Sequence, residues 1–164
     1  MKKIIFTIYF ICLFNVISSC SGYKPIFSTT NLQFKINNHY IKGDTILGNL
    51  LYSKLKNLSK FDKNNEGAKG IDIVLNVSKT KKSTSKDRAG KILEYRISLN
   101  TDVEVTDFLS GEKILNKNFN SSLNYKVQDQ YSDTLAREKK VIEDLINETY
   151  SNLLITLSEN INQI

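Results

Sequence analysis

Side chains that usually carry out chemistry are few in this sequence of 164 residues, which contains two cysteines and a single histidine. A metal site needs several His, Cys or carboxylate ligands at close spacing, and the sequence shows no such cluster. It also lacks a glycine-rich phosphate loop and a nucleophile elbow. We therefore expect no metal, no cofactor and no enzymatic activity, and we interpret His39 as a surface residue in a loop.

Cys20 is the residue whose surroundings indicate a specific reaction. Lys2 and Lys3 precede an apolar run over residues 4–14, which is too short for a bilayer span of about 20 residues. Residues 1–19 are therefore predicted to be a secretory signal peptide. The ISSC sequence that ends at Cys20 resembles a bacterial lipobox, in which the signal is cut before the cysteine and its thiol receives a diacylglycerol.

Acylation at Cys20 would fix the mature amino terminus to a membrane, since each buried CH2 contributes about 0.8 kcal/mol. Ser21 rather than Asp after the cysteine favours the outer membrane, by analogy with the sorting of enteric lipoproteins. We expect the protein to lie on the periplasmic side. The alternative is an ordinary signal peptide that is cut nearby and leaves an unused cysteine.

A basic run is the main charge feature. Between residues 79 and 91, six basic residues stand against Asp87 alone, which gives a net charge of +5. Removing Lys2 and Lys3 from the 23 basic residues leaves 21 against 17 acidic ones, or about +4 for the mature chain. The positive charge is thus concentrated in this run. It is either a solvated, mobile loop or a patch for phosphate-bearing ligands or an acidic protein. Export to the envelope argues against nucleic acid and favours anionic lipid head groups.

Hydrophobic periodicity indicates six elements. Alternation predicts strands near residues 32–37, 71–77, 93–106 and 115–127, with NNHYIKGD after the first strand as a turn. Residues 109–112 are predicted to form a hairpin turn in which Gly111 takes positive φ. A helix over 44–60 has Asp44 as its N-cap and an apolar stripe that includes Ile46 and Leu50. A closing helix, capped by Ser132 or Asp133, runs about 45 Å to the end of the chain.

The order β-α-β-β-β-α predicts an α+β fold, a two-layer sandwich. Its four-stranded sheet, mixed or antiparallel, carries both helices on one face, and its other face is polar and open. We divide the chain into a signal peptide (1–19), a lipidated amino-terminal tether (20–31) and a single α+β domain (32–164).

Three stretches together resemble a known family. CSGYKPIF at residues 20–27 is similar to the mature start of LptE, the lipopolysaccharide-assembly lipoprotein, of the alphaproteobacterial type. YRISLNTDVEVTDFLSGEKIL at 95–115 resembles its long strand and hairpin. LNYKVQDQYSDTLAREKKVIEDLINETYSNL at 123–153 resembles its last strand and closing helix. The resemblance covers most of residues 20–160, with Ser21 as one extra residue in the opening.

The resemblance implies a non-enzymatic lipoprotein that sits within the barrel of LptD in the outer membrane. There it would act as a plug, assist barrel assembly and bind lipopolysaccharide during export. Lys81, Lys82, Lys86 and Arg88 are our candidates for contact with lipid A phosphates.

Other envelope lipoproteins remain open as alternatives, namely an auxiliary lipoprotein of a lipid-transport ABC system or a secretin pilot. A periplasmic hydrolase is disfavoured by the single histidine and the missing nucleophile motif.

Overall fold

The computed structural model describes residues 34–60 and 68–161, apart from the side chain of Lys60. The predicted signal peptide, Cys20 and the tether lie outside the described residues. The chain forms, in order, β1 (Phe34–Gly43), α1 (Thr45–Lys60), β2 (Lys69–Lys86), β3 (Ile92–Asp107), β4 (Lys113–Lys126) and α2 (Tyr131–Ile161). The predicted order β-α-β-β-β-α is confirmed.

The four strands form one mixed sheet in the order β1-β2-β3-β4. β1 and β2 are parallel, so the chain must cross over between them, and α1 makes that crossover. β2, β3 and β4 are antiparallel neighbours joined by two tight hairpins. α1 packs on β1 and β2, and α2 packs on β4 and β3. The expected two-layer sandwich, with both helices on one face, is confirmed.

The core lies between the helices and the sheet. Because successive side chains of a strand point to opposite faces, every second residue is buried there between Ile71 and Val77 of β2 and between Ile97 and Val105 of β3. The helices contribute leucines at spacings of three and four. The fully buried large side chains are Leu51, Leu55, Ile71, Ile73, Leu75, Val77, Ile97, Leu99, Leu145, Ile146, Leu153 and Leu157.

β1 is longer than predicted, and the turn expected at NNHYIKGD is wrong. The strand continues to Gly43 because a bulge between Ile36 and Asn38 shifts the register against β2. The bulge moves the alternation by one residue. His39 therefore faces α1, where its ring stacks on Tyr52 with centroids 3.8 Å apart, and it does not lie in a loop.

The two helices begin differently from each other. Asp44 caps α1 as predicted, since the Leu47 amide donates to Asp44 Oδ1 at 3.1 Å. α2 begins at Tyr131, so Ser132 and Asp133 lie inside its first turn and the predicted caps are wrong. Instead, the Thr134 hydroxyl accepts a hydrogen bond of 2.9 Å from the Gln128 amide. No helix among the described residues combines the length and apolarity needed to cross a bilayer.

Part of the apolar stripe predicted for α1 does not face the core. Leu47, Leu51 and Leu55, spaced by four, are buried against the sheet. Ile46 and Leu50 each lie one position before a buried leucine and rotate away from that face, with 79% and 41% of their surface exposed. The packed stripe is therefore narrower than the sequence pattern indicates.

Candidate ligand-binding site at the basic hairpin

The basic run is an ordered hairpin rather than a loop. β2 extends to Lys86 and stays paired with β3 as far as Ile92, so the interpretation as a mobile loop is wrong. At the turn, Asp87 Oδ1 accepts hydrogen bonds from the Ala89 and Lys91 amides at 2.9 and 2.8 Å. Gly90 takes the positive φ of 85° that the turn requires. Residues 79–97 are called the basic hairpin below.

Strand alternation divides the four candidate residues between the two faces of the hairpin. Lys82 lies opposite Arg96 on the open face of the sheet, whereas Lys81 lies on the face covered by the helices. Lys82, Lys86 and Arg88 are exposed and, within the described parts of the chain, form no ion pair. The structure therefore does not bring all four cations into one patch.

Lys81 is held in a half-buried group of side chains, the Lys81 cluster (Lys81, Tyr95, Tyr125 and Glu138). Its Nζ lies 2.5 Å from Glu138 Oε2 on α2. The same ammonium is 4.3 Å from the centroid of the Tyr95 ring and 5.6 Å from that of Tyr125. The Tyr125 hydroxyl donates to Glu138 Oε2 at 2.8 Å. One carboxylate therefore links the basic hairpin and β4 to α2.

Burial and hydrogen bonding oppose each other in the Lys81 cluster. Partial burial by itself would raise the pKa of Glu138, but hydrogen bonds from Lys81 and Tyr125 and the lysine charge lower it below its ordinary value. Burial would likewise lower the pKa of Lys81, but its bond to Glu138 leaves that pKa raised. Burial raises the pKa of Tyr125. At neutral pH the cluster therefore holds an ammonium, a carboxylate and a neutral phenol.

A cavity of about 540 Å³ opens beside this cluster, between the basic hairpin and the first turns of α2. Its lining combines apolar side chains, including Tyr131 and Leu135, with charged groups, including Lys81, Lys91 and Glu138. Apolar walls next to ammonium groups suit a molecule that has both an apolar part and an anionic part. Among the described residues, no group of three or more His, Cys, Asp or Glu side chains is placed to hold a metal ion.

Sequence reasoning missed Tyr95, Tyr125 and Glu138 as partners of Lys81. The signal was present in the alternation of β2, because positions 79 and 81 fall on the same face as the buried positions 71, 73, 75 and 77, although Lys79 and Lys81 are themselves more exposed. The lysine-rich segment at residues 79–91 was interpreted as a loop, so its strand alternation was not recognised. Glu138 falls outside the apolar stripe of the closing helix, yet its side chain is only 19% exposed.

Comparison with solved structures identifies the fold. No protein-family model matches this sequence, and no curated protein matches it. Rare lipoprotein B from Shewanella oneidensis superposes with a TM-score of 0.52 at 15% identity, covering 77% of this chain and 98% of that one. A candidate lipoprotein from Caulobacter crescentus superposes with a TM-score of 0.53 at 16% identity, covering 76% of this chain and 88% of that one. Lipoprotein B from Nitrosomonas europaea superposes with a TM-score of 0.52 at 14% identity, covering 74% of this chain and 81% of that one.

These matches concern architecture, because identities near 15% are too low to transfer a function. They extend over most of the described residues and nearly all of the Shewanella protein. The chain thus has a fold that it shares with these bacterial lipoproteins, rare lipoprotein B among them.

Proposed function

We propose that this protein is a non-enzymatic, lipid-anchored subunit of an outer-membrane lipopolysaccharide translocon, of the LptE type. It occupies the lumen of an LptD-like barrel, assists the assembly of that barrel and binds lipopolysaccharide on its way to the cell surface. The observation that carries the proposal is the basic hairpin, which presents cations that form no ion pair with any described residue, at one end of a fold shared with lipoprotein B.

The anchor rests on the sequence around Cys20. The charged start, the short apolar run and the ISSC sequence support cleavage before Cys20 and acylation of its thiol. Acyl chains at that position would keep the domain at the periplasmic face of the outer membrane.

The open face of the sheet supports placement inside a barrel. It is covered by side chains that bond to one another across strands. Asn118 Nδ2 donates to Asn100 Oδ1 at 2.7 Å and to Asp102 Oδ1 at 2.6 Å. Arg96 Nε donates to Asn124 Oδ1 at 2.8 Å. A polar surface of this kind suits the polar, water-filled interior of a transmembrane β-barrel.

Within the basic hairpin we assign phosphate contact to Lys82, Lys86 and Arg88. Their cations are exposed, so they can bind a phosphate without first breaking an ion pair. Lys81 already shares Glu138, and its contribution is to position the hairpin. The neighbouring cavity could then receive an apolar part of the same ligand.

The test is a charge reversal at the hairpin. Changing Lys82, Lys86 and Arg88 to Glu should lower the affinity for purified lipopolysaccharide by tenfold or more, measured by fluorescence titration. The thermal unfolding midpoint should not change, because these side chains are exposed. A matched control changes three exposed lysines elsewhere, Lys35, Lys56 and Lys139, to Glu and alters the net charge equally.

Equal loss of affinity in both triple variants would show a non-specific charge effect, and unchanged affinity in the hairpin variant would exclude this site. The anchor is checked on the same preparation. Mass spectrometry of the mature amino-terminal peptide should show acylated Cys20, and an unmodified thiol there would contradict the anchor.

A further inference from the structure

The two ends of the sheet differ in what they expose. Phe34, the first residue of β1, pairs with Lys69 at the start of β2. The next residue, Gly70, accepts a hydrogen bond of 3.0 Å from the Phe108 amide in the β3–β4 turn. The chain therefore enters the fold beside this turn. The basic hairpin closes at the opposite end of β3, about 50 Å away for a strand of 16 residues.

The turn that follows β3 presents apolar side chains to solvent on a fixed backbone. Leu109 is 89% exposed and Phe108 is 45% exposed. Asp107 Oδ1 accepts hydrogen bonds of 2.8 Å from the Leu109 and Ser110 amides, and Gly111 takes a φ of 71°. An ordered turn that holds a leucine almost wholly in water is suited to a contact that is made elsewhere. Phe108 and Leu109 are called the apolar turn below.

Two ion pairs neutralise four charges beside the apolar turn, and Glu112 adds one exposed carboxylate there. Lys69 Nζ lies 3.6 Å from Asp107 Oδ2, and Lys113 Nζ lies 3.0 Å from Glu104 Oε1. Bringing this end of the fold to a lipid surface would therefore not place a block of unpaired carboxylates against anionic head groups.

We infer that the apolar turn inserts into the head-group region of the bilayer to which the chain is anchored. The lipid surface as partner rests on the acylation of Cys20 in the proposed function. Cys20 precedes Phe34 by fourteen positions, and Phe34 enters the fold next to the apolar turn. An anchor attached at this end brings the turn, rather than the basic hairpin, to the membrane.

The length of the intervening chain favours this orientation. Fourteen residues span at most about 50 Å when fully extended. Bringing the basic hairpin to the same lipid surface would consume nearly all of that reach, because the hairpin lies about 50 Å from Phe34 along the sheet. Bringing the apolar turn there consumes little of it. The basic hairpin then projects away from the anchored leaflet.

A single tryptophan tests the inference, since the chain has none of its own. Leu109→Trp places a fluorophore in the apolar turn, and Ala89→Trp places the control in the exposed turn of the basic hairpin. Each variant is bound to vesicles of zwitterionic phosphatidylcholine, with or without brominated acyl chains, because anionic lipids would attract the basic hairpin of the control. We expect a blue-shifted emission and bromolipid quenching for Leu109→Trp, and water-like, unquenched emission for Ala89→Trp.

Two forms of anchoring separate this inference from the proposed function. One is the acylated protein made in a Gram-negative host. The other is residues 20–164 with Cys20→Ser and an amino-terminal hexahistidine tag, held on nickel-chelating lipids. The second form retains all the described residues, 34–60 and 68–161, and with them the core that these residues form. Flotation of the vesicles measures attachment independently of fluorescence in both forms.

If Leu109→Trp is quenched on the tagged chain, the apolar turn contacts lipid. If the first form also fails to acylate or to float with the vesicles, the Cys20 anchor is rejected while the lipid contact stands. Unquenched Leu109→Trp on floated protein would overturn the inference, as would equal quenching of both variants. Burial of Leu109→Trp only after a barrel protein is added would also overturn it, because the turn would then contact protein.

Discussion

Glu138 has two hydrogen-bond donors from different parts of the fold. Lys81 and Tyr125 both donate to its Oε2, and Lys81 is 57 positions away in the sequence. An exposed ion pair usually contributes less than about 1 kcal/mol. Here the carboxylate is largely buried and the ammonium is also covered by the Tyr95 ring, so the contact fixes the basic hairpin against α2. This contact therefore fixes the backbone of the hairpin that carries the exposed cations.

Replacing this carboxylate gives a prediction with a definite pH dependence. Glu138→Gln should lower the free energy of unfolding by about 1 kcal/mol at neutral pH, because a charged hydrogen bond is lost. The folded-state pKa of Glu138 is lowered, so its stabilisation is present above the ordinary glutamate pKa of about 4.3 and is lost as pH falls through the folded value. The difference between wild type and variant should therefore shrink on acidification below about pH 4.

Urea unfolding between about pH 7 and pH 3 measures this difference. Glu143→Gln is the control, because Glu143 lies on the exposed side of the same helix and accepts no hydrogen bond from a side chain of the described residues. The control should change stability by less than about 0.5 kcal/mol. A pH-independent loss in Glu138→Gln would mean that the carboxylate acts through packing rather than charge.

Gly43 determines how β1 turns into α1. It has a φ of 73°, and the following amide, that of Asp44, donates to the Val77 carbonyl at 2.7 Å. A Cβ at position 43 would lie 2.2 Å from that carbonyl oxygen. Asp44 is then in place to cap α1. One glycine thus sets both the end of β1 and the start of the crossover helix.

Gly43→Ala should therefore be costly, by about 3 kcal/mol or more, because backbone strain and a clash with Val77 add together. Gly90→Ala is the matched control, since Gly90 also has positive φ but would meet no atom within 4 Å. It should cost only about 1 kcal/mol from the backbone conformation. Urea unfolding of both variants measures the two losses, and equal losses would show that the contact with Val77 relaxes freely.

Periodicity predicted the elements that have one apolar face. β3 alternates without interruption and α1 begins with a clear cap, so both were predicted correctly. β1 was cut short because its bulge shifts the alternation in the middle of the strand, which single-sequence patterning reads as a turn. Such a shift depends on the pairing with β2, which the sequence of β1 alone does not contain.

The second half of β2 was missed for a different reason. Its lysines and serines carry no apolar stripe, and its strand conformation comes from pairing with the longer β3. The 16-residue alternation of β3 already implied neighbours along its whole length, and this would have extended β2. The contact between Lys81 and Glu138 depends on how α2 crosses the sheet, which periodicity does not specify.

At the scale of the molecule, three surfaces carry different chemistry. The basic hairpin lies at one end of the sheet and the apolar turn at the other. The open face between them is polar, and its amides and carboxylates are bonded to one another rather than to the core. Since the helices cover the opposite face, a large polar partner would be met by the open face. The proposal of a barrel partner is therefore tested best at the centre of this face.

Ser98 lies at that centre, between Thr80 of β2 and Ser122 of β4. Ser98→Arg adds a long side chain to the open face and should leave the unfolding midpoint nearly unchanged, because surface substitutions usually shift stability by less than about 0.5 kcal/mol. It should nevertheless reduce co-purification with the outer-membrane barrel at least tenfold. Ser53→Arg, the same change on the exposed side of α1, is the control and should keep the partner.

Membrane pull-down followed by mass spectrometry measures the bound barrel for both variants. Retention of the barrel by Ser98→Arg would show that the open face remains in solvent in the complex. Loss by Ser53→Arg alone would assign the contact to α1, where Ile46 and Leu50 are exposed. The same amino-acid change on opposite faces of one rigid sandwich thus decides which layer meets the partner, because any effect of the added charge itself is common to both variants.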